Sequence, residues 1–300
     1  MVKKKPFIVN SDTIFNGFIY LFFTLILLAI IYPLYWVVIA SISEPNEVLL
    51  GRVIFAPKGM TFTGYEAILN YQRIWLGFRN SIVYTALGTI ISLSLILPAG
   101  YVCSRPDFVG RKFFLIMITI TMFFGGGLIP TYLVVKKLHM DNTIWAIVIP
   151  GACGAYNISV AKSFFTTNVS REILESAQMD NCSNIRFFFQ IALPISLPLI
   201  AVITVFTAVG HWNSYFSALI YLRDDTKYPL QMILREILIL QDTDQMLTDI
   251  RFMENQEEKR KLGELIKYGV IIVSSVPMLV LYPFLQKFFV KGIMVGSLKG

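Results

Sequence analysis

Long apolar stretches separated by short polar ones run the length of the chain, and they predict helices that cross a bilayer. After Lys3, Lys4 and Lys5, an uncharged run extends from Thr13 to Ser43. It is too long for a signal-peptide core and ends in no small-residue cleavage pattern, so it reads as a retained first span, kinked at Pro33. Arg79 and Arg105 bracket a second run, and Lys112 and Lys136 a third that carries Gly125, Gly126, Gly127 and Pro130. Three glycines inside a span weaken a helix, so an unwound or tightly packed stretch is expected there. Asp141 to Lys162 encloses a short fourth run interrupted by Pro150, Gly151 and Gly154; Pro194 to Leu222 holds a fifth, and Lys267 to Lys287 a sixth. The predicted fold is an all-α polytopic bundle of six spans, at about 14–42, 80–104, 113–135, 142–162, 194–222 and 268–288. A tail of residues 1–12 precedes the membrane domain 13–293, and a tail of 294–300 follows it.

One polar stretch stands apart from this alternation. Residues of about 167–193 hold Glu175-Ser176-Ala177, Asp180-Asn181 and Ile191-Ala192-Leu193-Pro194. Ser170, Glu172 and Glu175 place a capping hydroxyl and acids at the start of a helical pattern. Asp180-Asn181 should interrupt it, because Asn bonds its own backbone and tolerates a left-handed turn. A second short helix, roughly Ser183 to Ala192, then ends at Leu193-Pro194, since proline cannot donate into a preceding turn. The result is a two-helix knob.

Composition and charge narrow the class. Of 300 residues, 55% are apolar and 15% charged, with mean hydropathy +0.64, whereas soluble chains carry about 25% charge. The net charge of +7 and pI of about 9.2 suggest nucleic acid only if the cations cluster on one face; here they lie between apolar runs and read as topology signals. On that basis both termini, the Arg105 loop and the knob face the cytoplasm. The outer segment of about 223–267 also carries cations, including Arg251, Lys259, Arg260 and Lys261, matched by Asp242, Asp244, Asp249, Glu254, Glu257 and Glu258. Cys103, Cys153 and Cys182 imply no disulfide framework. His139 and His211 are too isolated for a metal site, so none is expected.

The knob resembles the EAA loop of the membrane subunits of ATP-binding-cassette importers, whose pattern is E-A-A, two residues, D-G, nine residues, then I-x-L-P. Glu175, Ser176, Ala177, Asp180, Asn181, Ile191, Leu193 and Pro194 fall on that spacing, with Ser176 for an alanine and Asn181 for the glycine. GGGLIPTYLVVKKLHMDNTIWAIVIPG, VGHWNSYFSALIYL, YPLQMILREIL and FVKGIMVGSLKG are similar to the carbohydrate-uptake branch, maltose-type, in its polysaccharide and oligosaccharide permease subgroup. The resemblance implies a non-catalytic permease subunit forming half of an oligosaccharide pathway. Its implied partners are a second, non-identical permease, two ATPase subunits and an extracytoplasmic solute-binding protein, with ATP and Mg held by the ATPases and no cofactor by this chain. No Gly-x-x-x-x-Gly-Lys-Ser/Thr loop occurs here. Resemblance also implies that the Glu175 helix docks in an ATPase cleft, with Glu175 making a polar contact, Ala177 permitting close approach, and Leu193-Pro194 coupling into the fifth span. The tail Gly292 to Gly300 is implied to reach the ATPases, although a frayed terminus has the same composition.

A saccharide path needs polar and aromatic groups inside the bilayer without costly charge. His211, Trp212, Asn213 and Tyr215 fit, with Tyr156 and Asn157 second, because an indole covers a sugar's C–H face and Asn or His supplies directional bonds. An aromatic belt or helix packing explains Trp212 equally well. Leu230, Ile233, Leu234, Ile237 and Leu238 recur at helical spacing, predicting an outer amphipathic helix that contacts the binding protein or simply tethers two spans. The competing classes are a self-contained secondary transporter or channel and an integral membrane enzyme. The span centres lack Asp, Glu, Lys and Arg for ion coupling, and no acid, His or Cys cluster converges outside the knob.

Overall fold

The computed structural model describes residues 11–239 and 256–297. Lys3 to Lys5, the 240–255 part of the outer segment with Asp242, Asp244, Asp249, Arg251 and Glu254, and 298–300 of the tail lie outside the described residues. Every described element is helical. The chain divides into two units, Met1–Asn70 with Thr243–Val273, and Tyr71–Asp242 with Ser274–Gly300.

In the first unit, α1 (Ser11–Ser41) is the expected first span, with Pro33 inside it. Its apolar side chains are exposed until its last two turns, where Ile39 and Ala40 pack with Val48 and Val53. Aromatic side chains on α1 hold the following loop by its carbonyls, Tyr35 OH donating to Phe55 O (2.5 Å) and Trp36 Nε1 to Val53 O (2.8 Å). That loop, with Pro45, Pro57 and Gly59, has no long apolar run in sequence. It holds α2 (Pro45–Leu49) and α3 (Thr63–Asn70). Gly64 lies against Leu265 and Gly269 against Ile68 so closely that a Cβ on either would sit 2.8 or 2.6 Å from its neighbour.

The second unit is built on α4 (Gln72–Ser104), which begins at residue 72 and not 80 because the polar first turn is already helical. Three glycines along α4 each admit a neighbour: Gly77 meets Ile233, Gly88 meets His211, and Gly100 meets Ala161. Lipid gives helices no hydrophobic reason to associate, so close backbone approach through small residues supplies the attraction.

The third span is not one helix. It is α5 (Arg111–Phe123) and α6 (Leu128–Lys137), bent by 116° across the glycine run. The fourth is also interrupted: α7 (Trp145–Val148) stops at Ile149-Pro150-Gly151, and α8 (Ala155–Asn168) resumes and runs past the expected end at 162. At 14 residues, α8 is about 21 Å long at 1.5 Å per residue, short of a span. Within the expected knob follow α9 (Arg171–Met179), α10 (Asn184–Phe187), a π-helical stretch Phe188–Ala192 and α11 (Leu193–Ile195). The fifth span, expected as one helix over 194–222, is α12 (Leu197–Trp212) and α13 (Tyr215–Tyr221), with an 80° bend between Asn184–Ile195 and Leu197–Trp212. Pro194 and Pro198 bring no amide to that corner, so the helix cannot continue its ladder through it. The last helix, α15 (Gln256–Ser297), is longer than the 268–288 expected, its membrane-compatible part being Gly263–Pro283. Among the described residues, three helices suffice to cross a membrane, or five if each bent pair counts as one span. The interrupted fourth stretch is not among them.

The amphipathic helix expected at these positions is α14 (Leu230–Ile239), with Leu230, Met232, Ile233, Leu234 and Ile237 buried. It is docked on α4. Asn80 Nδ2 donates to Thr226 O (2.8 Å), Tyr84 OH to Lys227 O (2.7 Å), and the Leu230 amide to Ser81 Oγ (2.8 Å), while Arg73 pairs with Glu236 at 3.0 Å. Asn142, in the left-handed region at φ 55°, accepts from the Arg223 amide and so pins this segment to the loop before α7.

Candidate functional site

The knob is assembled from local rules. Ser170 has the extended backbone of a helix N-cap, yet its hydroxyl makes no capping bond, contrary to the sequence expectation. Along α9, Arg171 Nε meets Glu175 Oε1 at 2.6 Å on the exposed side. At the far end Asn181 adopts φ 53°, so the Cys182 amide bonds Ala177 O (2.9 Å) and the Asn181 amide bonds Gln178 O (3.0 Å). That pair of bonds is the Schellman stop, here made with Asn where glycine is usual. Ser183 then caps α10, accepting from the Arg186 amide at 3.3 Å. A buried Ser196, donating to Ala192 O (2.7 Å), closes the corner into α12.

What holds the knob is a pedestal of four rings. Tyr101, near the end of α4, lies 5.6 Å from Phe165 of α8, 6.3 Å from Phe187 and 5.0 Å from Phe188. All four are buried. Such pairs contribute about 0.5–1.5 kcal/mol each beyond their area burial. Arg105 locks the top of this stack: its guanidinium forks onto Asp107 (2.8 and 2.7 Å), donates to Tyr101 OH (3.0 Å) and lies 3.5 Å from Asn184 Oδ1 on the second limb of the knob. The bond from Arg105 holds the Asp107 carboxyl below its ordinary value, and the same bond raises Arg105. Between this loop and α9 lies a cavity of about 570 Å³ lined by Arg105, Asp107, Arg171, Glu175, Gln178 and Phe187.

These contacts sort the expected site residues. Glu175, Ser176, Asp180, Asn181 and Pro194 are exposed and available to another chain. Ala177 is only 8% exposed and packs into the same core as Tyr101 and Phe187. The close approach it permits is therefore to its own chain, a correction that follows from its position on the inner side of α9. Ile191 and Leu193 are half-buried against that core. Met179 (89% exposed) and Ile185 (73%) present apolar surface at the tip that the sequence reading passed over. It also passed over Tyr101 and Arg105, since an aromatic in an apolar run and a cation at a span end have commoner explanations.

In the apolar interior, His211 rests on Gly88, where an added Cβ would come within 2.4 Å of the ring. Trp212 is 2% exposed and meets Phe78 edge-on at 5.8 Å. The structure thus gives Trp212 a packing role and no face toward open space. Asn213 is exposed but turns its amide back to Val209 O (2.9 Å); Tyr215 and Tyr156 are exposed, and Asn157 is half-buried. Thr85 and Thr89, one turn apart and flanking Gly88, and Ser214 have buried hydroxyls with no protein partner among the described residues. Thr204 and Thr207 on α12 bond the carbonyls one turn back. Buried hydroxyls without partners are rare enough to mark the Gly88–His211 level as polar ground.

Residues 74–248 match the family described as binding-protein-dependent transport system inner membrane component. The chain is 37% identical to the polygalacturonan/rhamnogalacturonan transport system permease protein YtcP of Bacillus subtilis strain 168, over 97% of this chain and 100% of that protein. It is 38% identical to Protein LplC of the same organism over 90% of each chain. The arabinooligosaccharides transport system permease protein AraQ of Bacillus subtilis is 25% identical, over 93% of this chain and 94% of that one. Among solved structures, a bacterial ABC transporter involved in the import of the acidic polysaccharide alginate superposes with TM-score 0.84 and 30% identity, covering 95% of this chain and 100% of that chain.

Proposed function

The chain belongs to the binding-protein-dependent transport system inner membrane component family, and on that premise we propose that it is the membrane-spanning permease subunit of an ATP-driven oligosaccharide importer. It is a multi-pass inner-membrane protein. Relatives named for polygalacturonan/rhamnogalacturonan, arabinooligosaccharide and galactooligosaccharide transport differ in sugar but all name a carbohydrate of several units, and an oligosaccharide is the substrate class we assign. The chain forms half of the translocation pathway; a second, non-identical permease supplies the other half. Two ATPase subunits bind ATP and Mg, and an external solute-binding protein delivers the sugar. Six spans with both termini in the cytoplasm complete the reading, the 145–168 stretch counting as the fourth.

The observation that carries this reading is the knob itself: a polar elbow inside the family-matched stretch, clamped by four buried rings and Arg105 to the end of α4. An element of that kind transmits rigid-body displacement where a loose loop would absorb it. The exposed residues Glu175, Ser176, Asp180 and Asn181 are the contact surface, with Met179 and Ile185 at the tip. Displacement passes through the Pro194 corner into α12, which carries His211 and ends at the cap residue Asn213; these, with Tyr215, Tyr156 and Asn157, are the sugar-facing candidates. The expected result for Glu175→Lys is normal membrane insertion with uptake of labelled oligosaccharide reduced at least tenfold, on the order expected when about 1.4 kcal/mol or more of docking energy is lost. Wild-type uptake in that variant, or sugar transport by the chain without an ATPase partner, would sink the proposal.

A further inference from the structure

The first turns of α5 carry a second groove, sharing only Arg111 with the cavity beneath the knob, of about 580 Å³ and lined by Arg111, Lys112, Leu115, Ile116, Thr119 and Ile120. These positions form two adjacent helical rows, so the groove is a continuous stripe along one side of α5. Its length, nine residue steps, is about 13 Å, close to the half-thickness of a hydrocarbon core of about 30 Å. The two cations sit together at one end, and no carboxylate lines the groove. The cavity under the knob differs: Asp107 and Glu175 there offset Arg105 and Arg171. Thr119 turns its hydroxyl to Leu115 O (2.8 Å), so its polar group is satisfied by backbone and the stripe beyond Lys112 stays apolar. Arg111 uses Nε on Cys103 O (2.9 Å), which anchors the side chain and leaves its remaining donors for another acceptor.

We propose that this groove binds one anionic phospholipid, its headgroup phosphate on Arg111 and Lys112 and one acyl chain along Leu115, Ile116, Thr119 and Ile120. The charge pattern selects the occupant. A protein helix would match the apolar stripe but not two uncompensated cations ending it, and a free phosphate would match the cations but have no use for about 13 Å of apolar track. The proposal goes beyond the transport reading and needs only the membrane location of the family.

The test is native mass spectrometry of the full chain with its copurifying subunits, after exchange into mixed micelles of detergent with phosphatidylglycerol or phosphatidylcholine. Wild type should retain phosphatidylglycerol in preference to phosphatidylcholine. Lys112→Gln, which leaves the Arg111–Cys103 bond in place, should cut that retention about fivefold, and the Arg111→Gln/Lys112→Gln pair about twentyfold or more. Equal retention of the two lipids, wild-type retention in Lys112→Gln, or full displacement by millimolar inorganic phosphate would each overturn the proposal. So would loss of a copurifying subunit in Lys112→Gln, which would make the groove a protein interface. The readout does not involve uptake, so a failure of the transport reading leaves its outcome interpretable.

Discussion

Replacing Arg105 tests whether the knob is clamped or merely adjacent. Arg105 is 9% exposed, with its guanidinium on Asp107, Tyr101 OH and, at 3.5 Å, Asn184. Arg105→Gln removes the charge and the fork. The Asp107 pair is worth about 1 kcal/mol at most, because Asp107 is 59% exposed and such pairs are screened. The bond from a cation to the buried tyrosine hydroxyl contributes about 1.5–2 kcal/mol, and the 3.5 Å approach to Asn184 is too long to carry weight. The expected loss is therefore about 2–3 kcal/mol. It should appear as a fall of several degrees in the thermal midpoint of the purified chain with its copurifying subunits. Arg105→Lys keeps the charge but not the fork and should recover less than half of it. In the transport assay, complexes carrying either variant should move less sugar per ATP consumed by the ATPase subunits, since a loosened pedestal absorbs the stroke. The pH dependence has a definite sign. The Asp107 carboxyl is held low in the folded chain, so its contribution is complete above the unfolded value of about 3.9 and fades only as pH falls through the folded one. The effect of Arg105→Gln should thus be constant from about pH 6 to 8. An unchanged midpoint together with unchanged coupling would refute the clamp.

The remaining tests address separate contacts. Gly88→Ala puts a methyl into the His211 ring and should cost about 1–3 kcal/mol; pairing it with His211→Ala should return part of that loss in a double-mutant cycle of thermal midpoints, and strict additivity would show that the two do not touch. At Asn181, φ 53° predicts that glycine is neutral or better, whereas Val costs about 1–2 kcal/mol, read by the same thermal shift. A Val variant as stable as wild type would deny the left-handed turn. Trp212→Ala should destabilise the chain by about 3–5 kcal/mol, as deletion of a buried aromatic does. A variant of wild-type stability that has lost only transport would return Trp212 to the sugar path.

The sequence by itself determined the features that depend on local or one-dimensional physics. Runs without charge declare membrane helices because burying charge in hydrocarbon is costly at any fold, so α1, α4 and α15 were legible, with ends misplaced by several residues where a polar turn is still helical. Asn181 declared its turn through its own conformational freedom, whereas the second knob helix, expected to stop at Leu193-Pro194, runs on to Ile195 and bends only at Ser196. The spacing of Glu175, Asp180 and Leu193-Pro194 was enough to carry the family resemblance. What only the tertiary structure decided are the questions of which side faces what. Ala177 reads as a contact for a partner until α9 is seen turning it onto Tyr101 and Phe187. Trp212 reads as a sugar platform until Phe78 is found against it. The glycine run at 125–127 announces weakness but not a bend of 116°, because the direction of a break is set by what the two halves pack against. Arg105 is a topology signal in one dimension and, in three, the anchor of Tyr101, whose ring partners Phe187 and Phe188 reach it only when the second limb of the knob folds back onto α4. Hydrophobicity and backbone preference act on a residue and its near neighbours, so they survive in the sequence; a packing partner dozens of positions away leaves no mark there until the chain has closed.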